Sequence, residues 1–261
     1  MNSQVAKEYN EQSKSYDNYT TSTPYGDLEA QLFRLALGDD CSGLKVLDLG
    51  GGSGLKARAA LDAGAARVDV VDISAAMMQS GQAATEASLG REGVGRIRWH
   101  EADVSKPLGH LPLQEEGTYD LVIAAWVFDH ARDRAEYDGM WRNCAAYLKP
   151  GGRFLGVRMG DPRAPTLDGR YGVYMKDFED TPDGVRYRYV IQLDPPLEFE
   201  ASTLNVSMSG SYEVPEKYGI TDFETEPPEN APIIRDDPLF WRPFLEKQGM
   251  VVFKGKKRLK I

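Results

Sequence analysis

Short apolar runs alternate with longer helix-periodic stretches over residues 41–160. Val46-Leu47-Asp48-Leu49 sets three apolar residues around one carboxylate and reads as the end of a buried strand. Gly50, Gly51, Gly52 and Gly54 follow, a turn that tolerates positive φ and lets backbone approach a ligand closely. Leu55 to Leu61 is rich in good helix formers, with Gly64 as the stop. Arg67 to Asp72 is a β-branched run ending in a carboxylate, and Ser74 is placed to cap a helix through Ala87. Arg96 to Asp103 alternates as a half-buried strand should, whereas Tyr119 to Phe128 is a continuous apolar run suited to a central strand. A helix over about Arg132 to Leu148 presents Met140, Trp141, Cys144, Ala145 and Leu148 on one side. Lys149-Pro150-Gly151-Gly152 then turns the chain into the strand Arg153 to Val157. This rhythm predicts an α/β fold with a parallel, doubly wound sheet.

Outside that stretch the pattern changes. Residues 4–37 read as two helical pieces broken near Thr23-Pro24. Tyr9, Tyr16 and Tyr19 can share a helical face, either as core packing or as a lid over a polar ligand. Residues 161–185 are rich in Pro, Gly and Asp and show no clear period. Tyr187 to Leu193 and Leu197 to Val206 read as a hairpin around Asp194-Pro195-Pro196. Phe240 to Lys257 reads as a short helix, a stop at Gly249 and a last strand through Phe253, with Lys254 to Arg258 as a solvated basic tail. The expected organisation is one domain over 1–261. It comprises lid helices (1–40), a ligand-binding core (41–160), an inserted cap (161–206) and a C-terminal completion of the sheet (207–261).

Three successive strands end in carboxylates, at Asp48, Asp72 and Asp103. In an open α/β sheet these ends face one ligand crevice. The dinucleotide spacing G-x-G-x-x-G needs glycine at position 55, where Leu55 stands, which disfavours a nicotinamide cofactor. A net charge of −9 argues against a nucleic-acid partner. Cys41 and Cys144 suggest neither a disulfide framework nor a metal cluster, and fit reduced thiols in the cytoplasm. The polar N-terminus lacks a signal core, and the longest apolar stretch, Leu121 to Phe128, is too short to span a membrane.

Asp48 with its glycines, Asp72, Ala102-Asp103-Val104, the strand into Trp126 and Leu148 to Phe154 resemble, in order, the motif series of class I S-adenosylmethionine (AdoMet)-dependent methyltransferases. The likeness covers roughly residues 5–160. Glu8-Tyr9 through Tyr16-Asp17, Met140 to Gly156 and Asp237 to Trp241 are similar to a small-molecule branch that tailors toxins and other secondary metabolites. The resemblance implies a Rossmann-like fold: a mostly parallel seven-stranded sheet with helices on both faces, an N-terminal helical lid and an inserted substrate-side cap. It implies that Asp48 and the backbone of Gly50, Gly51 and Gly52 hold the methionine portion of AdoMet. Asp72 would bond the ribose, and Ile73 would pack on adenine, with Met77 among the cofactor-binding positions. Asp103 would accept from the adenine amino group and the Val104 amide would meet a ring nitrogen. Ala125 and Trp126 would line the transfer site, and Tyr9 and Tyr16 would close over the cofactor. Two departures stand out. Asp129-His130 replaces a frequent Asn-Tyr, and Ser211 to Tyr218, in the place of a helix, contains Pro215.

The implied chemistry is in-line methyl transfer, with S-adenosylhomocysteine as product, to an N, O or S atom of a small organic acceptor, a process of positioning that needs no metal. His130 is the candidate base, its rival role being a histidine turned to solvent or a backbone carbonyl. Asp129 is the candidate partner, its rival role being the N-cap of the following helix. The alternative function is an AdoMet-binding, non-catalytic or regulatory homologue. Neither nucleic acid nor membrane is expected as a partner.

Overall fold

The computed structural model describes residues 3–16 and 19–259, with the backbone alone for 3, 14–16 and 20. Five strands follow the expected rhythm: β1 (Lys45–Leu49), β2 (Arg67–Asp72), β3 (Ile97–Glu101), β4 (Tyr119–Ala125) and β5 (Leu148–Met159). An insert of β6 (Val173–Thr181), β7 (Gly184–Ile191) and β8 (Leu197–Leu204) precedes β9 (Ile220–Thr225) and β10 (Met250–Lys257). The main sheet has seven strands in the order β3-β2-β1-β4-β5-β10-β9, and the insert forms its own three-stranded antiparallel sheet. Only β10 runs against its neighbours.

Two-sided burial explains the apolar runs. Val46, Leu121, Ile123, Leu155 and Val157 enter one core, whereas Leu47, Leu49, Val122, Ala124 and Phe154 enter the other. The first core is closed by α3 (Pro24–Leu37) and α4 (Leu55–Asp62), which follow α1 (Ser3–Tyr16) and α2 (Tyr19–Ser22). The second is closed by α6 (Arg134–Tyr147), whose Met140, Trp141 and Cys144 pack beneath the sheet; α5 (Ala75–Val94) lies between α4 and α6 in the chain. Short α7 (Asn205–Met208), α8 (Glu213–Lys217) and α9 (Pro232–Asp236) precede α10 (Pro238–Glu246). Both cysteines are buried and unbridged.

Several boundaries move. Thr23 caps α3, its hydroxyl accepting from the Gly26 amide at 3.0 Å, so the expected break stands one residue before Pro24. α5 runs past Ala87 to Val94 through a non-helical Gly90. α6 starts at Arg134 under Asp133, whose carboxylate accepts from the Glu136 amide at 2.9 Å, so Asp129 is not its N-cap. The stretch read as aperiodic contains β6. Only its first four residues alternate in burial, and Asp177, at φ 54°, breaks the register against β7, which erased the period-two signal. The basic run at the C-terminus is strand, not tail: Lys256 pairs with Arg153 of β5.

The insert is pinned to both the N-terminal helix and the loop after β4. Gln12 exchanges two hydrogen bonds of 2.8 Å with the Glu198 backbone, and Glu8 accepts from the Glu200 amide at 2.8 Å while pairing with Arg188 at 2.6 Å. Ser202 donates its hydroxyl to the Ala131 carbonyl.

Within β2, Asp69 is fully buried and accepts from the Tyr119 hydroxyl and from His100 Nε2, both at 2.9 Å. Asp69→Ala orphans both donors and is expected to cost about 3 kcal/mol, each unpaired buried group being worth ~1–3 kcal/mol. Urea unfolding checks it: the midpoint should fall at constant m-value, and less in Tyr119→Phe, which removes one donor alone. An unchanged midpoint in both variants would refute a structural role for this cluster.

Candidate functional site

The carboxyl ends of β1, β2 and β4 open into a cleft. Its floor is the glycine turn. Gly50 sits at φ 71° and lies so close to the loop after β4 that an added Cβ would stand 2.5 Å from Val127 Cγ2. A Cβ on Gly51 would stand 2.7 Å from the Asp48 carboxyl carbon. The loop is held by its own backbone: the Gly50 amide donates to the Val71 carbonyl at 2.8 Å, and the Gly52 amide to Asp72 Oδ2 at 2.8 Å. The Ser74 amide donates to Asp72 Oδ1 at 2.8 Å, so one half-buried carboxylate joins the turn to the start of α5. Burial is the main cause that raises the Asp72 pKa, and these backbone donors oppose it.

Asp48 carries the largest electrostatic strain in this cleft. It is 1% exposed, and neither carboxylate oxygen has a hydrogen-bond partner. Burial pushes its pKa up to about 7, with repulsion from Asp72 adding to it and Lys56 opposing it. Lys56 in turn pairs with Glu29 at 2.6 Å, both nearly fully buried, and Glu29 Oε2 has no partner. The cleft thus offers two carboxylates and one ammonium, with three unmatched carboxylate oxygens. An α-amino-acid group, carrying both an ammonium and a carboxylate, matches this donor set. The methionine end of AdoMet therefore fits, and the glycine turn leaves room for it.

A second cavity adjoins the first and shares Tyr9, Tyr19, Trp126 and His130 with it. Trp126 follows β4 in a left-handed conformation at φ 62°, uncommon for a bulky side chain and costing about 1–3 kcal/mol. Its amide donates to the Val157 carbonyl at 2.7 Å, and a single 3-10 turn (Val127–His130) delivers the next two polar residues. His130 Nε2 stands 3.1 Å from the Tyr9 hydroxyl, and Tyr9 stacks on Phe199 of the insert at 4.3 Å. His130 Nδ1 is buried without a hydrogen-bond partner. Burial lowers the imidazole pKa to about 4, with the Glu200 backbone and the Glu8 carboxylate opposing, so the ring is neutral at pH 7. Asp129 lines the second cavity alone. It is 3% exposed and accepts from the Met159 amide at 2.8 Å and from the Thr203 hydroxyl at 3.0 Å. Burial pushes its pKa up to about 7.

Of the residues singled out from sequence, Tyr9, Asp48, Gly50, Gly51, Gly52, Asp72, Ile73, Met77, Ala125, Trp126 and His130 share the first cleft. Asp103 and Val104 do not line it. Asp103 Oδ1 accepts from the Ser105 amide and hydroxyl at 2.9 and 2.7 Å, and Val104 packs into the second core. The Tyr16 side chain lies outside the described residues. Sequence reading missed Glu29 and Lys56, which no local motif marks. It also missed Tyr189, Phe199 and Ala201, although the alternation Tyr187-Tyr189-Ile191 and Phe199-Ala201 along the hairpin was a usable signal for one inward face. Among the described residues no cluster of His, Cys, Asp or Glu could hold a metal ion, and no helix is long and apolar enough to cross a membrane.

Residues 46–152 match the family model described as a methyltransferase domain. The ubiquinone/menaquinone biosynthesis C-methyltransferase UbiE of Idiomarina loihiensis is 33% identical over 141 residues, 52% of each chain. This chain thus spans about half the length of that curated relative. Among solved structures, the DhpI-SAM-HEP complex aligns with a TM-score of 0.59 at 17% identity, over 98% of this chain and 99% of that one. The [4+2]-cyclase SpnF aligns with a TM-score of 0.61 at 14% identity, over 98% and 96%. At such identities the structural likeness concerns the fold, and it agrees with the seven-stranded order seen here. Domain match over residues 46–152, sheet order and the glycine-floored cleft converge on a methyltransferase domain with the α/β fold of the class I S-adenosylmethionine-dependent enzymes.

Proposed function

We propose that this chain transfers a methyl group from AdoMet to an N, O or S atom of a small organic acceptor, with residues 1–40 as lid and 161–206 as cap. The observation that carries this reading is the shared wall: Tyr9, Tyr19, Trp126 and His130 separate a charged, glycine-floored cleft from an aromatic one. Bound AdoMet would supply an electrophilic methyl carbon together with its own leaving group, a neutral thioether, so that the acceptor need lose only a proton. Asp48, Glu29 and Lys56 hold the amino-acid end, while Asp72, Ile73 and Met77 hold the nucleoside end. Trp126 and Tyr9 shield the junction from water, and neutral His130 takes the proton. Buried, unbridged Cys41 and Cys144 support a cytoplasmic setting.

A carbon acceptor is the second reading, favoured by the C-methyltransferase among the relatives. A non-catalytic AdoMet-binding homologue is the third; the cyclase neighbour illustrates that the fold alone does not dictate transfer. Calorimetric titration with AdoMet, S-adenosylhomocysteine and NAD separates the cofactors. Uptake of the two sulfur ligands and not of NAD is expected, and NAD uptake alone would overturn the proposal. Acceptor-dependent release of S-adenosylhomocysteine separates an enzyme from a binding homologue.

Two substitutions test the named roles. Asp48 has a folded pKa of about 7 against an ordinary 3.8, so the folded state binds the extra proton between those values. Stability contributed by that proton is present below about pH 4 and is lost as pH rises through 7. Asp48→Asn should therefore match wild type near pH 4 and exceed it at pH 8, by on the order of 3 kcal/mol. Its affinity for S-adenosylhomocysteine should fall. Urea midpoints across pH read the first effect, and an Asn variant no more stable than wild type at pH 8 counts against it.

His130→Ala should cut turnover about 100-fold or more while changing AdoMet affinity far less. With the imidazole titrating at about 4, wild-type kcat/KM should decline only as pH falls toward 4, and the variant should lack that decline. An unchanged rate removes His130 from the mechanism.

A further inference from the structure

The second cavity has a polar inventory that is almost closed on itself. Asp129 spends its oxygens on the Met159 amide and the Thr203 hydroxyl. The Tyr187 hydroxyl stands 2.9 Å from Thr203 Oγ1, and the Tyr9 hydroxyl is engaged with His130. His130 Nδ1 is buried with no hydrogen bond of good geometry, the Glu200 backbone lying beside the ring. The rest of the lining is apolar: ring faces from both walls, with Met159, Ile191 and Ala201 between them.

The charges argue the same way. Among the described residues no Lys or Arg lines the cavity, so a carboxylate or phosphate would meet no counter-ion from them. Burying such an unpaired charge costs several kcal/mol. An ammonium would find ring faces, worth about 0.5–2 kcal/mol, but the carboxylate in the lining, Asp129, already accepts one donor on each oxygen. A neutral ring system loses no ionic solvation and gains the apolar contact of these walls.

Resting on the methyltransferase reading, we infer that this cavity takes a flat, uncharged, largely apolar aromatic acceptor carrying one protic nucleophile. The ring lies among Trp126, Tyr189 and Phe199. The nucleophile meets the shared wall beside His130, which places it at the mouth of the cofactor cleft. Acceptor choice then resides in the β7–β8 hairpin, through Tyr189, Ile191, Phe199 and Ala201, and not in the glycine-loop core.

Three probes with the same ring test this by calorimetry at pH 7, with and without saturating S-adenosylhomocysteine: 2-naphthol, 2-naphthoate and 2-(aminomethyl)naphthalene. 2-Naphthol should bind about tenfold tighter or more than either ion, the ions bearing the desolvation cost. Ala201→Trp and Ile191→Trp each fill the second cavity alone, so naphthol binding should be lost while S-adenosylhomocysteine affinity holds. The second variant guards against misfolding in the first. Naphthoate or the ammonium binding as well as naphthol, no naphthol binding at all, or naphthol binding undiminished in both folded variants would each overturn the inference. Naphthol preference in protein that takes up no S-adenosylhomocysteine would support the acceptor class and overturn the methyltransferase reading separately.

Discussion

The left-handed turn at Trp126 governs where everything else in the site can stand. β4 runs buried on both faces until Ala125, and one strained residue then rotates the chain out of the sheet. The strain is sustained because the Trp126 amide is still bonded to β5 and its carbonyl accepts from the Asp129 amide at 3.2 Å. That geometry sets the indole between the two cavities and aims the next turn back under the inserted sheet. Asp129 then ties β5, through the Met159 amide, to β8, through Thr203. A single deformation thus couples the core sheet, the insert and the wall that separates the two ligand spaces.

The two spaces divide the electrostatic labour. In the cleft, three charged side chains are taken out of water with incomplete pairing, which is unfavourable unless a ligand completes the set. In the aromatic cavity the polar atoms are nearly all matched internally, so little is left over for a charged guest. The first arrangement selects a zwitterion, and the second selects by shape and apolar contact. Burial raises both Asp48 and Asp129 to about 7 for the same reason, but only Asp48 is left with bare oxygens.

The core was legible because its cause is local. Two-sided burial turns β1, β2 and β4 into continuous apolar runs, and a glycine turn in which a Cβ added at Gly50 would stand 2.5 Å from Val127 Cγ2 announces itself in composition. The pairing of Glu29 with Lys56 was not legible. It joins an N-terminal helix to the helix after the glycine turn, and nothing in either helix alone distinguishes these residues from solvated charges. Asp103 is the converse case. It ends the third carboxylate-tipped segment, yet its oxygen is taken up by the Ser105 turn beyond the strand. β6 escaped notice because its outer half is exposed and its register is broken at Asp177, which leaves no alternation to read.

The part hardest to read from sequence is also the part that we propose sets acceptor choice, and the two share a cause. An inserted sheet that packs on a helix and a loop, and is not sandwiched between layers, keeps only one face apolar; its inward residues are spaced by two and interrupted by turns. Its attachment is polar and specific: the reciprocal bonds of Gln12 with Glu198 and the Glu8–Arg188 pair fasten it to α1. Inward residues such as Ile191, Phe199 and Ala201 can therefore change while those bonds, and the cofactor cleft beneath, stay as they are. Cofactor identity is written in the rigid turn after β1, where a single added Cβ collides, and acceptor identity in a surface whose frame does not depend on which side chains fill it.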